Sequence, residues 1–310
     1  MIPLRHAADR TACVPTPDGA RLRVHLRGPE DAPVTVVLAH GWAQGSDTWR
    51  PQVARLVAAE DAPVRTVRWD QRGHGGSTLG SRPLRTGLLA EDLLRVVDAC
   101  APRGPVVLGG HALGGMAVLA LAAARPELFG TRIAGVLLAS ASAGGLDTAR
   151  PGFPLVQRVR GAGWRAAMRL LATAAGPVDR VRELVPPHLA AHRAVVRRAV
   201  FGPVADPLRV RECAELLHAT PTRVVADFHR VLMRHDVTGR IGALAAVPAV
   251  LLAGGRDRLV PLRHVRALAR ALPDAELRVL PACGHMLPLE APREVGDALA
   301  ALCRTAARPG

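Results

Sequence analysis

The chain has 310 residues, 49% of them hydrophobic, enough to bury one large α/β core carrying an insertion or two smaller domains. Its formal charge of +15 suggests a nucleic-acid partner until the source is traced: Lys, Asn and Tyr are absent, Arg, Ala, Gly and Pro abound, and aromatic residues make up 3%. That is the signature of a high-GC genome; with no RNA- or DNA-binding motif and few rings for base stacking, no nucleic-acid partner is expected.

In chain order, the opening MIPLRHAADR has no apolar stretch of signal-peptide length, and no later run approaches the roughly 18 apolar residues of a membrane span. A soluble, cytoplasmic protein without stable membrane insertion is expected. Residues 12–27, ACVPTPDGARLRVHLR, hold Asp18-Gly19 between two extended runs, which predicts a hairpin. PVTVVLAHG (33–41), PVRTVRWDQRG (63–73), GPVVLGGH (104–111) and TRIAGVLLAS (131–140) are short β-branched runs. Helical spacing separates them, over Trp49 to Ala59 and Thr86 to Ala101. Strand alternating with helix implies right-handed crossovers and a mostly parallel, twisted sheet flanked by helices.

After about residue 140 the rhythm changes for about a hundred residues, with helix-like pieces at 157–174, 188–201, 208–219 and 222–234. VPAVLLAGGRD (247–257), a helix near Leu262 to Leu272, AELRVLPACGH (275–285) and a helix from about Pro292 then resume the α/β pattern. The expected organisation is a core of residues 1–140 and 241–310 with residues 141–240 inserted as a helical lid over the carboxyl ends of the strands, where such sheets bind ligands. Between residues 151 and 240 there are 15 Arg against 7 Asp and Glu. Two readings stand: a solvated helical surface, or a pocket rim that attracts an acidic substrate.

Five cysteines, Cys13, Cys100, Cys213, Cys283 and Cys303, are odd in number and lack C-x-x-C spacing, which argues against a disulfide framework and a structural zinc site. Cys283 precedes His285 by two residues; a buried thiol is one reading and an approach to a site at His285 the other.

Four loops fall at carboxyl ends of expected strands: His40-Gly41-Trp42, the turn Gly110-His111-Ala112-Leu113-Gly114, Gly254 to Leu259, and Gly284-His285. With HGW (40–42), DQRGHGGS (70–77), GHALGG (110–115), GGRDRLVP (254–261) and GHMLPLEAP (284–292) in that order, the chain resembles the α/β-hydrolase fold superfamily, specifically its lid-bearing esterase and lipase-like serine hydrolases. The resemblance implies a nucleophile at position 112, an acid at Asp257 and a base at His285, with the backbone N–H groups of Trp42 and Leu113 as the oxyanion hole. His40, Gly41, His111, Leu259 and Met286 are expected around the substrate pocket, His111 mainly as packing. Asp70, Arg72 and His74 are expected to stabilise a loop, and Asp236 competes with Asp257 as the acid.

The departure is Ala112. G-x-S-x-G presents serine on a strained strand-to-helix turn, and alanine has no hydroxyl with which to attack an acyl carbon. Two accounts remain open: a Ser→Ala substitution in an otherwise complete serine hydrolase, or a natural alanine. The first implies an enzyme class that cleaves a carboxylic ester, lactone or thioester through an acyl-enzyme, acting on a small acyl substrate with no metal or organic cofactor, and a chain inactive as it stands. The second implies acid–base chemistry by Asp257 and His285 in elimination, isomerisation or cyclisation, or ligand binding without catalysis.

Overall fold

A computed structural model describes residues 9–58, 63–149, 153–186 and 189–308. The expected hairpin forms from β1 (Arg10–Pro15) and β2 (Arg21–Arg27), turning at Gly19 with φ of 82°. Then come β3 (Val34–Ala39), α1 (Arg50–Ala58), β4 (Val64–Trp69), α2 (Thr86–Cys100), β5 (Val106–His111), α3 (Leu113–Ala124) and β6 (Ile133–Ala139). Five helices follow before the next strand: α4 (Leu155–Thr173), α5 (Ala175–Glu183), α6 (Ala190–Val200), α7 (Pro207–Ala219) and α8 (Thr222–Arg234). The chain ends with β7 (Ala249–Gly254), α9 (Leu262–Ala271), β8 (Glu276–Leu280), the short α10 (Leu287–Glu290) and α11 (Pro292–Ala306).

The eight strands form one sheet in the order β1-β2-β4-β3-β5-β6-β7-β8. Pairing is antiparallel from β1 to β4 and parallel from β4 to β8. Every residue of β3, β4, β5 and β7 is buried, as expected where helices cover both faces of a parallel sheet. Side chains sort by the two-residue period of a strand: Val36 and Leu38 pack with Trp49, Val53, Leu299 and Leu302, whereas Val37 packs among Leu93, Val96 and Val118 on the other face. Thus α1 and α11 cover one side, and α2, α3 and α9 the other.

The sequence reading differs from the structure chiefly at the edges of elements. Strand β4 stops at Trp69 and β8 at Leu280, because the motif residues beyond them turn back to make loops. Helix α5, with the sequence AGPVDRVRE, had no separate expectation. Ala59, His188 and the first eight residues of MIPLRHAADR lie outside the described residues.

Of the five intervening helices, α8 is seated on α2 and α3. Val224, Phe228, Val231 and Leu232 share one of its faces and pack on Leu89, Leu113 and Met116, while Arg223, Arg230 and Arg234 stay outside. Burying side chains of that size contributes on the order of 1.5–3 kcal/mol each relative to exposure. Helix α4 differs: Met168 is its one buried residue, and Leu155, Val156, Val159 and Leu170 face solvent. No helix among the described residues is long and apolar enough to cross a membrane.

The loop after β4 is tied to the hairpin and α2 by Arg72, whose side chain has no solvent exposure. Its Nε and Nη2 donate to the two oxygens of Asp92 at 2.6 and 2.7 Å, and its Nη1 donates to Asp18 at 2.9 Å and to the Leu79 carbonyl at 2.9 Å. The hydrogen bond from Arg72 holds the Asp18 carboxyl well below the usual carboxylate range. Replacing one member of such a cluster leaves buried charge unmatched. Arg72→Met is therefore expected to cost about 3–5 kcal/mol, read from urea unfolding. A midpoint equal to that of the parent chain would show that the two aspartates need no partner.

Candidate active site

The turn from β5 into α3 is made possible by absent side chains. A Cβ on Gly110 would lie 2.6 Å from the Gly115 Cα, and one on Gly114 would run into the Ala39 carbonyl on β3. Helix α3 therefore sits directly on the sheet, and the residue between strand and helix must turn sharply. That residue is Ala112, at φ 48° and ψ −110°, with its N–H donating to the Ala139 carbonyl at 2.9 Å. A non-glycine residue there stores on the order of 1–3 kcal/mol of backbone strain.

The HGW loop lies against this turn. A Cβ on Gly41 would fall 2.6 Å from His111 Nδ1 and 3.5 Å from the Ala112 methyl. Two buried histidines support the loop from below. His40 Nε2 accepts the Gln71 N–H at 2.9 Å, so its Nδ1 carries the proton and donates to the Gly41 carbonyl at 2.7 Å. His74 Nε2 accepts the Ala43 N–H at 3.2 Å, and its Nδ1 donates to the Arg72 carbonyl at 3.1 Å. Asp70 completes the scaffold by accepting the N–H groups of Ser46 at 2.7 Å and Gly76 at 2.9 Å. The N–H groups of Trp42 and Leu113 have no acceptor among the described residues.

The structure brings Asp257 and His285 together. Asp257 Oδ2 accepts His285 Nδ1–H at 2.8 Å, and Oδ1 accepts the N–H groups of Leu259 at 2.8 Å and Val260 at 2.9 Å. Burial alone would raise the pKa of Asp257; the His285 imidazole and the Val260 N–H outweigh it and hold the carboxyl below its ordinary value. His285 Nε2 makes no hydrogen bond to a described residue. Asp236, the competing acid, is exposed and accepts the Thr238 N–H at 3.1 Å. Cys283 is half-buried, does not line the cavity described below, and burial pushes its thiol up to about 11.

Three features hold the His285 loop. His285 N–H donates to the Val200 carbonyl at 2.7 Å. His111 Nε2–H donates to the His285 carbonyl at 2.9 Å. Glu290 accepts the N–H groups of Gly284 at 2.9 Å, Met286 at 3.0 Å and Gly202 at 2.7 Å. Sequence reasoning missed Glu290, although an acid in the apolar stretch HMLPLEAP was a signal for a buried carboxylate serving loop amides.

Ala112, His285, Trp42, Leu113 and Leu259 line one cavity of about 630 Å³, as their motif positions predict. The four other expected pocket residues do not line it. His40 and His111 are fully buried beneath the loops they support, Gly41 is pressed against His111, and Met286 packs with Val196, Phe201 and Leu289. Proximity to a motif in sequence places a side chain on either side of a loop, and these four face inward. From the intervening helices the cavity receives Trp164, Leu232, Met233 and His229, none of them singled out by the sequence. The ring of His229, on α8, lies between Trp42 at 6.0 Å and Trp164 at 6.1 Å, and its buried Nε2 has no hydrogen-bond partner. Among the described residues no group of three or more His, Cys, Asp or Glu is placed to hold a metal ion.

A mostly parallel sheet wrapped by helices, with a strained turn at the end of its fifth strand and an Asp–His pair beside the same cavity, is the architecture of the α/β hydrolases. The model of the alpha/beta hydrolase family matches residues 36–298, and the chain belongs to that family. Among sequence relatives, a putative carbamate hydrolase RutD of Azorhizobium caulinodans is 26% identical over 86% of this chain and 90% of its own. A pimeloyl-[acyl-carrier protein] methyl ester esterase of Xanthomonas axonopodis pv. citri is 27% identical over 85% and 92%. A dihydrolipoyllysine-residue acetyltransferase component of the acetoin cleaving system of Pseudomonas putida is 28% identical over 87% of this chain, which spans 63% of that protein's length. Among solved structures, an esterase from Thermogutta terrifontis superposes with a TM-score of 0.71 at 22% identity over 97% of this chain and 100% of that one. The enol-lactonase of Burkholderia xenovorans LB400 superposes at 0.70 and 23% over 95% and 100%.

Two measurements probe the site's construction. Ala112→Gly relieves the left-handed backbone and is expected to raise stability by about 1 kcal/mol, whereas Ala117→Gly, within α3, is expected to lower it by about the same amount. Equal losses in both would mean that the turn stores no strain. Burial lowers His74 and His111 to about 3 from the model-compound value of 6.5, so both are neutral in the folded chain and take up protons on unfolding. The stability they contribute is complete above about pH 6.5 and drains away below it, by roughly 1.4 kcal/mol per pH unit for each histidine. Urea midpoints that stay flat from pH 7 to pH 4.5 would contradict this.

Proposed function

We propose that this chain carries the site of a serine hydrolase for carboxylic esters, lactones or thioesters, with alanine in place of the nucleophile, so that it binds such a substrate without forming an acyl-enzyme. The observation that carries the reading is Ala112 itself: a strained backbone presents its methyl to the cavity that His285 also lines. Maintaining left-handed geometry serves no packing need that a glycine would not meet at lower cost.

In this reading a serine hydroxyl at position 112 would attack the acyl carbon as its proton passes to His285 Nε2. Asp257 fixes the tautomer through Nδ1 and stabilises the imidazolium that forms. The carbonyl oxygen, becoming negative, would take hydrogen bonds from the N–H groups of Trp42 and Leu113, each worth about 3 kcal/mol in studied hydrolases. His285 would return the proton to the leaving group and then activate water to release the acyl group. Residues 141–240 act as the lid, closing the cavity with α4 and α8. The similarity to a methyl ester esterase supports an ester-class substrate.

A second reading is favoured by the completeness of the Asp257–His285 hydrogen bond in a chain without a nucleophile: His285 would move a proton in elimination, isomerisation or cyclisation.

The deciding experiment is Ala112→Ser with p-nitrophenyl butyrate. A burst of p-nitrophenolate and turnover on the order of 10³-fold or more above the alanine chain is expected, since loss of a nucleophile costs about 10⁶ in a studied serine protease. His285→Ala in the serine background should abolish it. A folded serine variant with neither burst nor turnover would overturn the hydrolase reading.

A further inference from the structure

Several arginines on the helices around the cavity have carboxylate partners. On α7 and α8, Arg209 pairs with Glu212 and Arg211 with Glu215, both at 2.8 Å, and Asp227 pairs with Arg223 and Arg230. Three further arginines line the cavity. Arg160 on α4, Arg258 in the loop after β7 and Arg263 in the first turn of α9 reach the same space from three separate elements. None forms an ion pair with a carboxylate among the described residues; Arg258 donates to the Arg198 carbonyl and leaves its charge unmatched. The one acidic side chain on the lining, Asp147, is already bridged by Arg165 at 3.0 Å.

Three guanidinium groups around one concave, partly apolar space offer an entering anion charge-assisted hydrogen bonds. Composition accounts for the number of arginines. It does not place three of them, from three separate elements, at one cavity without a counter-charge among the described residues. A second polar demand is unmet in the same place: His229 is nine-tenths buried or more, and its Nε2 has no partner. A buried polar atom left so is a group that a ligand can complete. Leu113, Met116, Leu232 and Met233 supply apolar wall in the same cavity.

We propose that the ligand of this cavity is an ester bearing an anionic group, a carboxylate or a phosphate, separated from the ester by an apolar segment, and that Arg160, Arg258 and Arg263 recognise the anion. The proposal rests on the reading of the cavity as an ester site. It makes these arginines specificity-determining residues and leaves the acyl-transfer groups unchanged.

Because alanine at position 112 prevents turnover in that reading, binding can be measured on the chain as it is. Calorimetric titration at low ionic strength would compare monomethyl adipate, dimethyl adipate and methyl 6-(phosphonooxy)hexanoate. At least one anionic ester is expected to bind on the order of tenfold more tightly than the neutral diester, and the order of the two anionic ligands separates carboxylate from phosphate. Arg160→Gln and Arg263→Gln should each reduce that preference several-fold, the double variant should abolish it, and added salt should weaken it. Dimethyl adipate binding as tightly as both anionic esters, or a preference that survives the double variant, would overturn the inference, as would failure of all three to bind. Hydrolysis of p-nitrophenyl butyrate by Ala112→Ser without any anion preference sinks this inference alone. Anion preference in a serine variant that hydrolyses nothing sinks the ester reading alone.

Discussion

The rest of the structure depends on how closely α3 approaches β3 and β5. With hydrogen atoms in place of side chains at Gly110 and Gly114, the first turn of the helix rests on the sheet backbone, and Ala112 between them turns at φ 48°. The turn then fixes what surrounds it. His111, one residue earlier, is driven beneath the surface, where it supports the His285 carbonyl; Leu113, one residue later, begins the helix with an unpaired N–H facing the same region. A single close contact between backbones thereby sets the relative positions of three loops far apart in sequence.

Around that contact the polar interior is built from neutral and charged groups with different tasks. His40 and His74 act as fixed acceptors and donors for loop backbone, a role that requires them uncharged, and burial keeps them so. Asp70, Arg72 and Glu290 serve as charged ties, each satisfied by several partners, which is the condition under which buried charge is tolerated. The Asp257–His285 pair differs because one of its nitrogens has no protein partner. That nitrogen stands beside the cavity His285 lines.

Much of this was legible in the sequence because it follows from local patterns. Strand–helix alternation, Asp18-Gly19 at the hairpin and the small residues flanking Ala112 are each constrained by backbone geometry within a few residues, so sequence marks them directly. The pairing of Asp257 with His285 was legible by a different route, from motifs in a recognisable order. His40, Gly41, His111 and Met286 were placed around the pocket because they adjoin motif residues, but a loop has two sides and sequence does not say which one faces the cavity. His229 and Trp164 were invisible for a related reason. Each depends on where a helix or loop distant along the chain comes to rest, and an isolated histidine among the apolar residues of α8 has the same local signature whether it faces core or cavity.

The five helices between β6 and β7 are not attached evenly. Beyond α6, Gly202 hydrogen-bonds the Glu290 carboxylate that also orders the His285 loop, and the Val200 carbonyl accepts the His285 N–H, while α8 is seated on Leu113 and Met116. Helix α4 has only Met168 buried. Displacing α6 would distort the support of the imidazole, whereas α4 is held through α8 and the Arg165–Asp147 ion pair. The covering over the cavity is thus anchored unequally, with its firmest ties beside His285 and α3 and its most exposed apolar side chains on α4, where Trp164 stands at the cavity rim.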